Sequence, residues 1–309
     1  MIITVTVNPA LDKTVVVDNL LPGRLNRIKN VSVDAGGKGI NVSKIINVFK
    51  GESLATGVVG DESGKELVGR LEKIGLKHDF VVAKGTTRTN TKVLDEINGI
   101  TELNEPGIVI TKQEQQKLTD KLVALATPNT LFVLSGSLPV GVDNDFYKRV
   151  IVDLKKKGAK IFLDADGESF SLALKAKPNY IKPNKEELTQ YFQVSEDISL
   201  LEAKELCRKL VNKGIELVVL SMGAKGVMYV NQERAFYAKG LKVSASSTVG
   251  AGDSMVGALA YAMEQKMDLQ EIMRLGVAAS AGAVTTKGTN PPTLELVEQL
   301  KKQVTIEEI

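Results

Sequence analysis

The segment STVGAGDSMVGALAYAM, residues 247–263, combines a glycine turn with a single carboxylate. Val256 and Leu259 share one face of a helical pattern, which predicts a helix that begins near Gly250. The first amide N–H groups of a helix lack backbone partners, and the positive end of the helix dipole lies behind them. An anion could therefore approach these amides, and Asp253 in the first turn could accept a proton from a nucleophile beside that anion.

A capping role for Asp253 is the alternative to a role as a base. Aspartate is a common residue at the start of a helix, where its side chain accepts hydrogen bonds from free amides. Capping does not require a Gly-Ala-Gly turn immediately before the carboxylate. The turn therefore favours a ligand that approaches the backbone closely.

A second glycine-rich turn, DAGGKGIN, occupies residues 34–41 and precedes another helical pattern. It is not a Walker A motif, because Gly39 follows the Gly-Lys pair and Ser32 stands where the first glycine is expected. Nor does a G-x-G-x-x-G motif follow a predicted strand, so the fingerprint of a dinucleotide-binding fold is missing. The exposed amides, Lys38 and Asn41 suit a sugar hydroxyl or a phosphate. A simple loop-to-helix turn is the alternative.

Strand and helix patterns alternate through most of the chain, which predicts an α/β protein with a mainly parallel sheet covered on both faces. Two segments break this alternation, at about 13–35 and 88–105. The second contains Asn98-Gly99, a strong hairpin signal. We therefore predict a single domain over residues 1–309 with a small accessory β-sheet built from two insertions. Such a sheet could cover a cleft as a lid, form a dimer surface, or do both.

Polar and glycine-rich segments follow successive predicted strands. In an open α/β sheet the carboxyl ends of parallel strands meet at one edge, where ligands bind. The pattern predicts one cleft at that edge. The segments are NPALD with Asp12, SGSLP with Ser137, Asp164 at the end of IFLD, IKPNKEE with Asn184, and SMGAKG with Ser221.

Composition narrows the class of partner. The 309 residues include 40 basic and 37 acidic side chains, a net charge of +3, which is too balanced to favour nucleic acid or an anionic membrane. Cys207 is the only cysteine, and it falls on an apolar helical face, so it is expected in the core. We find no signal-peptide pattern and no apolar run of membrane-spanning length, and we therefore expect a cytoplasmic protein.

Seven short segments, taken together, resemble the signatures of the ribokinase-like (PfkB) family of sugar kinases. Their order covers nearly the whole chain: NPALD, AGGKGIN, TRTN, SGSLP, KPNKEE, SMGAKG and STVGAGDS. The resemblance implies a three-layer α/β/α fold with a β-sheet lid, ATP and Mg²⁺ as cofactors, and a homodimer formed through the lid. Many family members begin the last signature with Asp-Thr. Here it begins with Ser247-Thr248, which favours the branch that acts on phosphosugars.

The resemblance also implies a role for each candidate residue. Asp253 would be the catalytic base, beside an anion hole formed by the amides of Gly250, Ala251 and Gly252. The sugar hydroxyls would contact Asp12, Gly37, Asn41 and Ser137, and the phosphate already on the substrate would contact Arg27, Lys38 and Arg88. The nucleotide would contact Lys182, Asn184, Ser221, Gly223, Gly226, Thr248, Gly250 and Gly252. Mg²⁺ would lie near Asn184, Glu187 and Asp164. Asn184 and Glu187 could instead form a helix cap, and Asp164 could simply end a strand.

The implied substrates are ATP and a ketohexose monophosphate. Conversion of fructose 1-phosphate to fructose 1,6-bisphosphate is the favoured reaction, and conversion of tagatose 6-phosphate to tagatose 1,6-bisphosphate is the alternative. A non-catalytic sugar- or nucleotide-binding regulator on the same fold is a third hypothesis. The carboxylate of Asp253 within an intact glycine turn argues against that regulator, because binding alone needs no base.

Overall fold

The computed structural model describes residues 1–95, 97, 99–286 and 288–309. Its strands, in chain order, are β1 (Ile2–Thr6), β2 (Ala10–Val17), β3 (Asn30–Gly36), β4 (Ser53–Gly60), β5 (Lys77–Ala83), β6 (Arg88–Asp95), β7 (Gly99–Asn104), β8 (Leu131–Ser135), β9 (Lys160–Asp164), β10 (Tyr180–Ile181), β11 (Leu217–Ser221), β12 (Gly226–Asn231), β13 (Ala235–Lys239) and β14 (Ile306–Glu308).

The α-helices lie mostly between these strands. They are α1 (Lys38–Val48), α2 (Gly64–Lys73), α3 (Lys112–Leu125), α4 (Phe146–Lys156), α5 (Gly167–Ala173), α6 (Lys185–Phe192), α7 (Leu200–Asn212), α8 (Ala251–Glu264), α9 (Leu269–Val284) and α10 (Leu294–Lys301). Short 3₁₀ turns follow α5 and β11. In the parts of the chain that the structure describes, no helix is both long and apolar enough to cross a membrane.

Ten of the described strands form the central sheet, in the order β14-β13-β12-β11-β10-β9-β8-β1-β4-β5. Neighbours from β11 to β5 are parallel, and β12, β13 and β14 add an antiparallel edge. Every residue of β1 and β8 is buried, as expected for parallel strands covered on both faces. The predicted α/β fold with a mainly parallel sheet is confirmed.

Two hydrophobic cores lie on opposite faces of this sheet. Because side chains alternate along a strand, Phe132 and Leu134 of β8 join one core and Val133 joins the other. Helices α3 to α7 cover the first core, and α1, α8, α9 and α10 cover the second. Cys207 is fully buried in the first core, where burial raises the pKa of its thiol to about 12. The expectation of a core cysteine is confirmed.

A separate four-stranded sheet has the order β3-β2-β6-β7. The parallel pairing of β2 with β6 joins the two insertions, and the other two pairings are antiparallel. The predicted hairpin corresponds to β6 and β7, although Asn98 of its turn lies outside the described residues. Leu11 and Ala35 pack toward α2, whereas β7 is exposed along its whole length. This small sheet therefore has one face on the body and one face open.

Candidate functional site

The carboxyl ends of β9, β10 and β11 gather polar groups into one cleft. Asp164 ends β9, Lys182 and Asn184 follow β10, and Ser221 ends β11. Short backbone contacts fix these segments side by side, since the Lys182 N–H donates to Leu163 O at 3.2 Å and Asn184 bridges to Ser221. The predicted gathering of polar segments at one sheet edge is seen here.

Helix α8 brings Asp253 into this cleft. Gly250 precedes the helix in the left-handed conformation, with φ 79°, and no side chain caps the helix. Glycine adopts that conformation without the strain that a side chain would add. Asp253 is buried, with 7% exposed, and its Oδ2 accepts a hydrogen bond from Asn41 Nδ2 at 2.8 Å. The carboxylate therefore faces α1 across the cleft. Among the described residues, no side chain caps the first amides of α8, and the Ala251 N–H donates to Thr248 O at 3.4 Å.

A charged cluster surrounds Asp164, which is 1% exposed. Lys182 Nζ lies 3.3 Å and Lys38 Nζ 3.7 Å from its Oδ1. Burial raises the pKa of Asp164, but the two ammonium groups outweigh burial and hold that pKa below its ordinary value. In turn, the charge of Asp164 raises the pKa of Lys38. The cluster thus carries one fixed negative and two fixed positive charges.

Asp253 titrates under the influence of this cluster. Burial is the main cause that raises its pKa, and the like charge of Asp164 adds to it. Lys38, the Asn41 hydrogen bond and Lys182 oppose the rise, and the resulting pKa is about 6. A carboxylate with that pKa is ionised near neutral pH and is still basic enough to take up a proton during a reaction.

Lys182 also connects Asp164 to α8. A Cβ atom placed on Gly252 would lie 3.3 Å from Lys182 Nζ, so the ammonium group rests directly over the first turn of the helix. Amides without a side-chain cap among the described residues, a helix dipole and a lysine therefore converge on one point. Such a point can bind and stabilise negative charge.

A cavity of about 570 Å³ opens on this point. Its polar end includes Asn184, Ser221, Gly223, Gly226, Thr248 and Gly252, all of them predicted nucleotide contacts. Its other end is apolar and is lined by Leu241, Val243, Met255, Val277 and Val284. The volume and the mixed lining are typical of a small-molecule site. The sequence did not predict the apolar lining. These residues come from one loop and two helices, and no shared motif links the three segments.

The two candidate metal ligands on α6 are engaged in a capping box. Asn184 Oδ1 accepts from the Glu187 N–H at 2.8 Å, and Glu187 Oε2 accepts from the Asn184 N–H at 2.9 Å. The helix-cap alternative is therefore present in the structure. The second carboxylate oxygen of Glu187 is not used by this cap. Burial raises the pKa of Glu187.

Asp164 offers a further oxygen donor for a metal. Within the described residues, neither of its oxygens accepts a well-directed hydrogen bond, and no group of three acidic, histidine or cysteine side chains could hold a metal. Mg²⁺ usually binds one or two carboxylates together with substrate phosphates and water. Asp164 and Glu187 fit that kind of site, and they do not form a closed protein cage.

The second glycine turn holds Asp12. A Cβ atom on Gly36 would lie 2.4 Å from Asp12 Oδ2, so only glycine leaves room for the carboxylate. Asp12 Oδ1 accepts from Asn90 Nδ2 at 3.3 Å, and Oδ2 accepts from Thr289 Oγ1 at 3.4 Å. Lys92 Nζ lies 3.6 Å from the same Oδ2. The sequence reasoning missed Asn90, Lys92 and Thr289, although Asn90 and Lys92 alternate on one face of the β6 pattern.

The remaining predicted sugar-side residues occupy the same region. Gly37 precedes α1 with φ 113°, and a Cβ atom there would contact Thr6 and Pro9. Ser137 is half-buried in the loop after β8. The preceding residue, Gly136, packs against the side chain of Lys38. Ser137 and Gly37 thus flank the cleft near the charged cluster.

The three predicted phosphate-binding cations are not placed alike. Arg88 donates to Glu105 O at 3.1 Å and to Asn8 O at 3.0 Å, and its buried Nε has no hydrogen-bond partner among the described residues. Burial lowers the pKa of Arg88. Arg27 is exposed in the loop between β2 and β3. Lys38 is ion-paired with Asp164, with its Nζ 3.7 Å from Oδ1.

Several known proteins are similar to this chain in sequence. The profile of the pfkB family carbohydrate kinases matches residues 7–296. The chain is 33% identical over 305 residues to 1-phosphofructokinase from Vibrio cholerae, covering 99% of this chain and 96% of that protein. It is also 33% identical over 306 residues to 1-phosphofructokinase from Bacillus subtilis, with 99% of each chain covered.

A solved structure gives the same result for the fold. Phosphofructokinase-2 from Escherichia coli, in complex with substrates and products, superposes with a TM-score of 0.93 at 29% identity. The superposition covers 98% of each chain. The three-layer arrangement and the small sheet are therefore shared with that protein.

The raised pKa of Asp253 predicts that Asp253→Asn stabilises the protein above pH 6. Folding favours the protonated carboxyl, so this group's contribution to stability is complete below pH 3.8 and is lost as pH rises through about 6. At pH 8 the ionised group costs roughly 3 kcal/mol, which the uncharged amide avoids. Thermal unfolding should give the variant a higher Tm at pH 8 and a smaller gain at pH 5. Asp120→Asn, at an exposed site on α3, should show no such difference, and an equal gain at both pH values would contradict the assignment.

Proposed function

The chain belongs to the pfkB family of carbohydrate kinases, and from this membership we propose that it transfers the γ-phosphoryl group of ATP to a hydroxyl of fructose 1-phosphate. The family implies a phosphotransferase with an alcohol acceptor and ATP as the phosphoryl donor. The observation that best supports the proposal is the buried carboxylate of Asp253 in the first turn of α8, which no side chain among the described residues caps. Relatives named 1-phosphofructokinase support the choice of sugar phosphate.

Asp253 acts as the general base in this proposal. Its Oδ2 is held by Asn41, so Oδ1 is the atom that receives the proton of the attacking 6-hydroxyl. The hydroxyl oxygen forms a bond to the γ-phosphorus while the bond from that phosphorus to the β–γ bridging oxygen breaks. ADP and fructose 1,6-bisphosphate are the products, and the proton remains on Asp253 until it passes to water.

The first turn of α8 stabilises the transferring group. Phosphoryl transfer needs positioning and charge stabilisation more than covalent help from the protein. The amides of Gly250, Ala251 and Gly252 would donate to the phosphoryl oxygens, and Lys182 lies over the same turn. Lys38 adds a second ammonium group on the side of Asp164. Because both lysines are paired with Asp164, they stay fixed when the phosphates leave.

Mg²⁺ would be held by Asp164 and Glu187, with Asn184 in contact through water. When bound, Mg²⁺ neutralises charge on the phosphates of the nucleotide. The apolar end of the cavity, with Leu241, Val243 and Val277, would take the base of the nucleotide. The polar segments around Ser221 and Gly223 would then face its phosphates.

The sugar phosphate would bind between the second glycine turn and the small sheet. Asp12, Gly37, Asn41 and Ser137 would contact its hydroxyl groups. Arg88 would bind the phosphate already present, because its planar guanidinium suits phosphate oxygens and its Nε is buried without a partner among the described residues. Arg27, on the exposed loop of the same sheet, would add a second contact on closure.

The small sheet would serve as a lid and as the surface of a homodimer. Large apolar side chains are exposed on it and on its loop, among them Leu25, Val31, Ile100 and Leu103. Exposed apolar groups gathered on one small element mark an interaction surface. A second copy of the chain is the partner that the proposal assigns to it.

Replacing the base should lower turnover without weakening ATP binding. We expect Asp253→Asn to reduce kcat by about 10² to 10⁴, the usual contribution of a positioned base, with little change in ATP affinity. In the unaltered protein, kcat/KM should fall as pH drops below about 6, because Asp253 is then protonated. Coupled ADP-release assays and nucleotide titrations measure both effects. Asp120→Asn is the control, and near-normal turnover in Asp253→Asn would overturn the assignment.

Substrate binding should slow hydrogen exchange in the small sheet. Short strands with few covering neighbours open readily on their own, and a closed lid restricts this opening. Mass-spectrometric exchange should show protection in peptides from 13–35 and 88–105 at saturating phosphosugar. Peptides from α7 (Leu200–Asn212), which packs against β11 and β12 of the central sheet, provide the internal reference. Unchanged exchange in both lid segments would argue against a lid.

The substrate assignment is tested by comparing phosphosugars in the same ADP-release assay. We expect kcat/KM to be highest for fructose 1-phosphate, lower for tagatose 6-phosphate and very low for free fructose, which gives Arg88 no phosphate to bind. Preference for tagatose 6-phosphate would change the substrate and leave the mechanism intact. Efficient use of free fructose would contradict the phosphate-binding role of the arginines.

A variant of Arg88 separates the sugar-phosphate site from the nucleotide site. Arg88→Ala should raise KM for the phosphosugar and leave ATP affinity nearly unchanged. Equal weakening of both substrates would indicate a general structural defect.

A further inference from the structure

Lys92 of β6 is a buried cation on the sugar side of the cleft. Only 5% of it is exposed, and its Nζ lies 3.6 Å from Oδ2 of Asp12, which is also buried. Among the described residues, Asp12 is the one acidic group within ion-pair distance of Lys92. A buried lysine is costly unless a charge of opposite sign accompanies it. Because both side chains are buried, the pair cannot be explained as two solvated surface charges.

Strand register explains how Lys92 reaches Asp12. Strands β2 and β6 are parallel, with Asp12 opposite Asn90 and Thr14 opposite Lys92. Because side chains alternate along a strand, Asn90 and Lys92 lie on the same face of the small sheet as Asp12. One contact is direct and the other diagonal, which is within reach of a long side chain.

The carboxylate of Asp12 is held from several sides without being saturated. Asn90 and Thr289 donate at 3.3 and 3.4 Å, both long for hydrogen bonds to a carboxylate. Gly36 lies directly behind it, where a Cβ atom would be 2.4 Å away. A carboxylate offers about four lone-pair sites, so Asp12 retains acceptor capacity toward the cleft.

The charges around Asp12 show what Lys92 contributes. Asp34 stands opposite Asp12 on β3 and would disfavour a second negative charge. Lys44 of α1 is also buried, but it donates its hydrogen bond to Ala35 O. Arg88 donates hydrogen bonds to the backbone oxygens of Asn8 and Glu105. Among the described residues, Lys92 is the cation that lies within ion-pair distance of Asp12.

We propose that Lys92 is a positioning residue that pairs with Asp12 and orients it, so that both carboxylate oxygens accept hydrogen bonds from neighbouring hydroxyls of the sugar phosphate. The proposal rests on the proposed kinase function. Lys92 touches neither the reacting hydroxyl nor the nucleotide cavity in this account, and it acts through Asp12.

Neutral replacements of Lys92 test the proposal. Lys92→Met and Lys92→Gln should each raise KM for the phosphosugar roughly tenfold, as expected when a charged hydrogen-bond partner is lost, while kcat and KM for ATP change by less than about threefold. Lys92→Arg keeps the charge and should restore much of the affinity.

Coupling to Asp12 distinguishes positioning from a purely structural role. If Lys92 acts through Asp12, the double variant Asp12→Asn/Lys92→Met should have a KM for the phosphosugar close to that of Asp12→Asn alone. Additive effects, an unchanged KM in the neutral variants, or an equal rise in KM for ATP would overturn the proposal. Loss of folding in both neutral variants would also overturn it, in favour of a structural role.

The wild-type assay separates this proposal from the function on which it depends. Fructose 1-phosphate and tagatose 6-phosphate are tried first with the unaltered protein. If neither is phosphorylated, the proposed function is wrong and the account of Lys92 falls with it. If either is phosphorylated, the same sugar serves for the variants, and their KM values test Lys92 alone.

Discussion

Two buried carboxylates, Asp164 and Asp253, share one cleft, and the arrangement of the site follows from that constraint. Like charges in a low-dielectric setting repel unless cations stand near them. Lys182 and Lys38 supply those cations and are held within 3.7 Å of Asp164. The two lysines come from different layers, one from the loop after β10 and one from the first turn of α1. The order of strands in the central sheet is what brings both to the same edge.

The surroundings of Asp253 also contrast with those of Asp12, the carboxylate on the sugar side of the cleft. Asp253 has a carboxylate as its strongest charged neighbour, and burial and that neighbour raise its pKa to about 6. Asp12 has the Lys92 ammonium group 3.6 Å away and receives hydrogen bonds from an amide and a hydroxyl, those of Asn90 and Thr289. Both residues are aspartates, so the difference comes from their surroundings. Those of Asp253 suit it to take up a proton, and those of Asp12 suit it to accept hydrogen bonds.

Local signals in the sequence predicted the parts of the site that depend on neighbouring residues. The start of α8, the glycine turn before Asp253 and the parallel strands all follow from periodicity and turn chemistry within short windows. The ion pair of Lys38 with Asp164 and the burial of Lys92 were not predictable in this way. They depend on the packing of segments more than 70 residues apart, and nothing in either lysine's own segment shows that it is buried. The apolar lining of the nucleotide-sized cavity was missed for the same reason.

Contacts between the two ends of the chain complete the site. Asn41 reaches Asp253 across 212 residues, and Thr289 reaches Asp12 across 277. A ribosome that adds 5–20 residues per second needs roughly 14 to 55 s to travel from Asp12 to Thr289. Throughout that interval, the nascent chain exposes polar groups that the finished fold buries, and it cannot close the cleft around them. The site is therefore completed only late in synthesis, and a chain released before Thr289 lacks the hydrogen bond from Thr289 to Asp12.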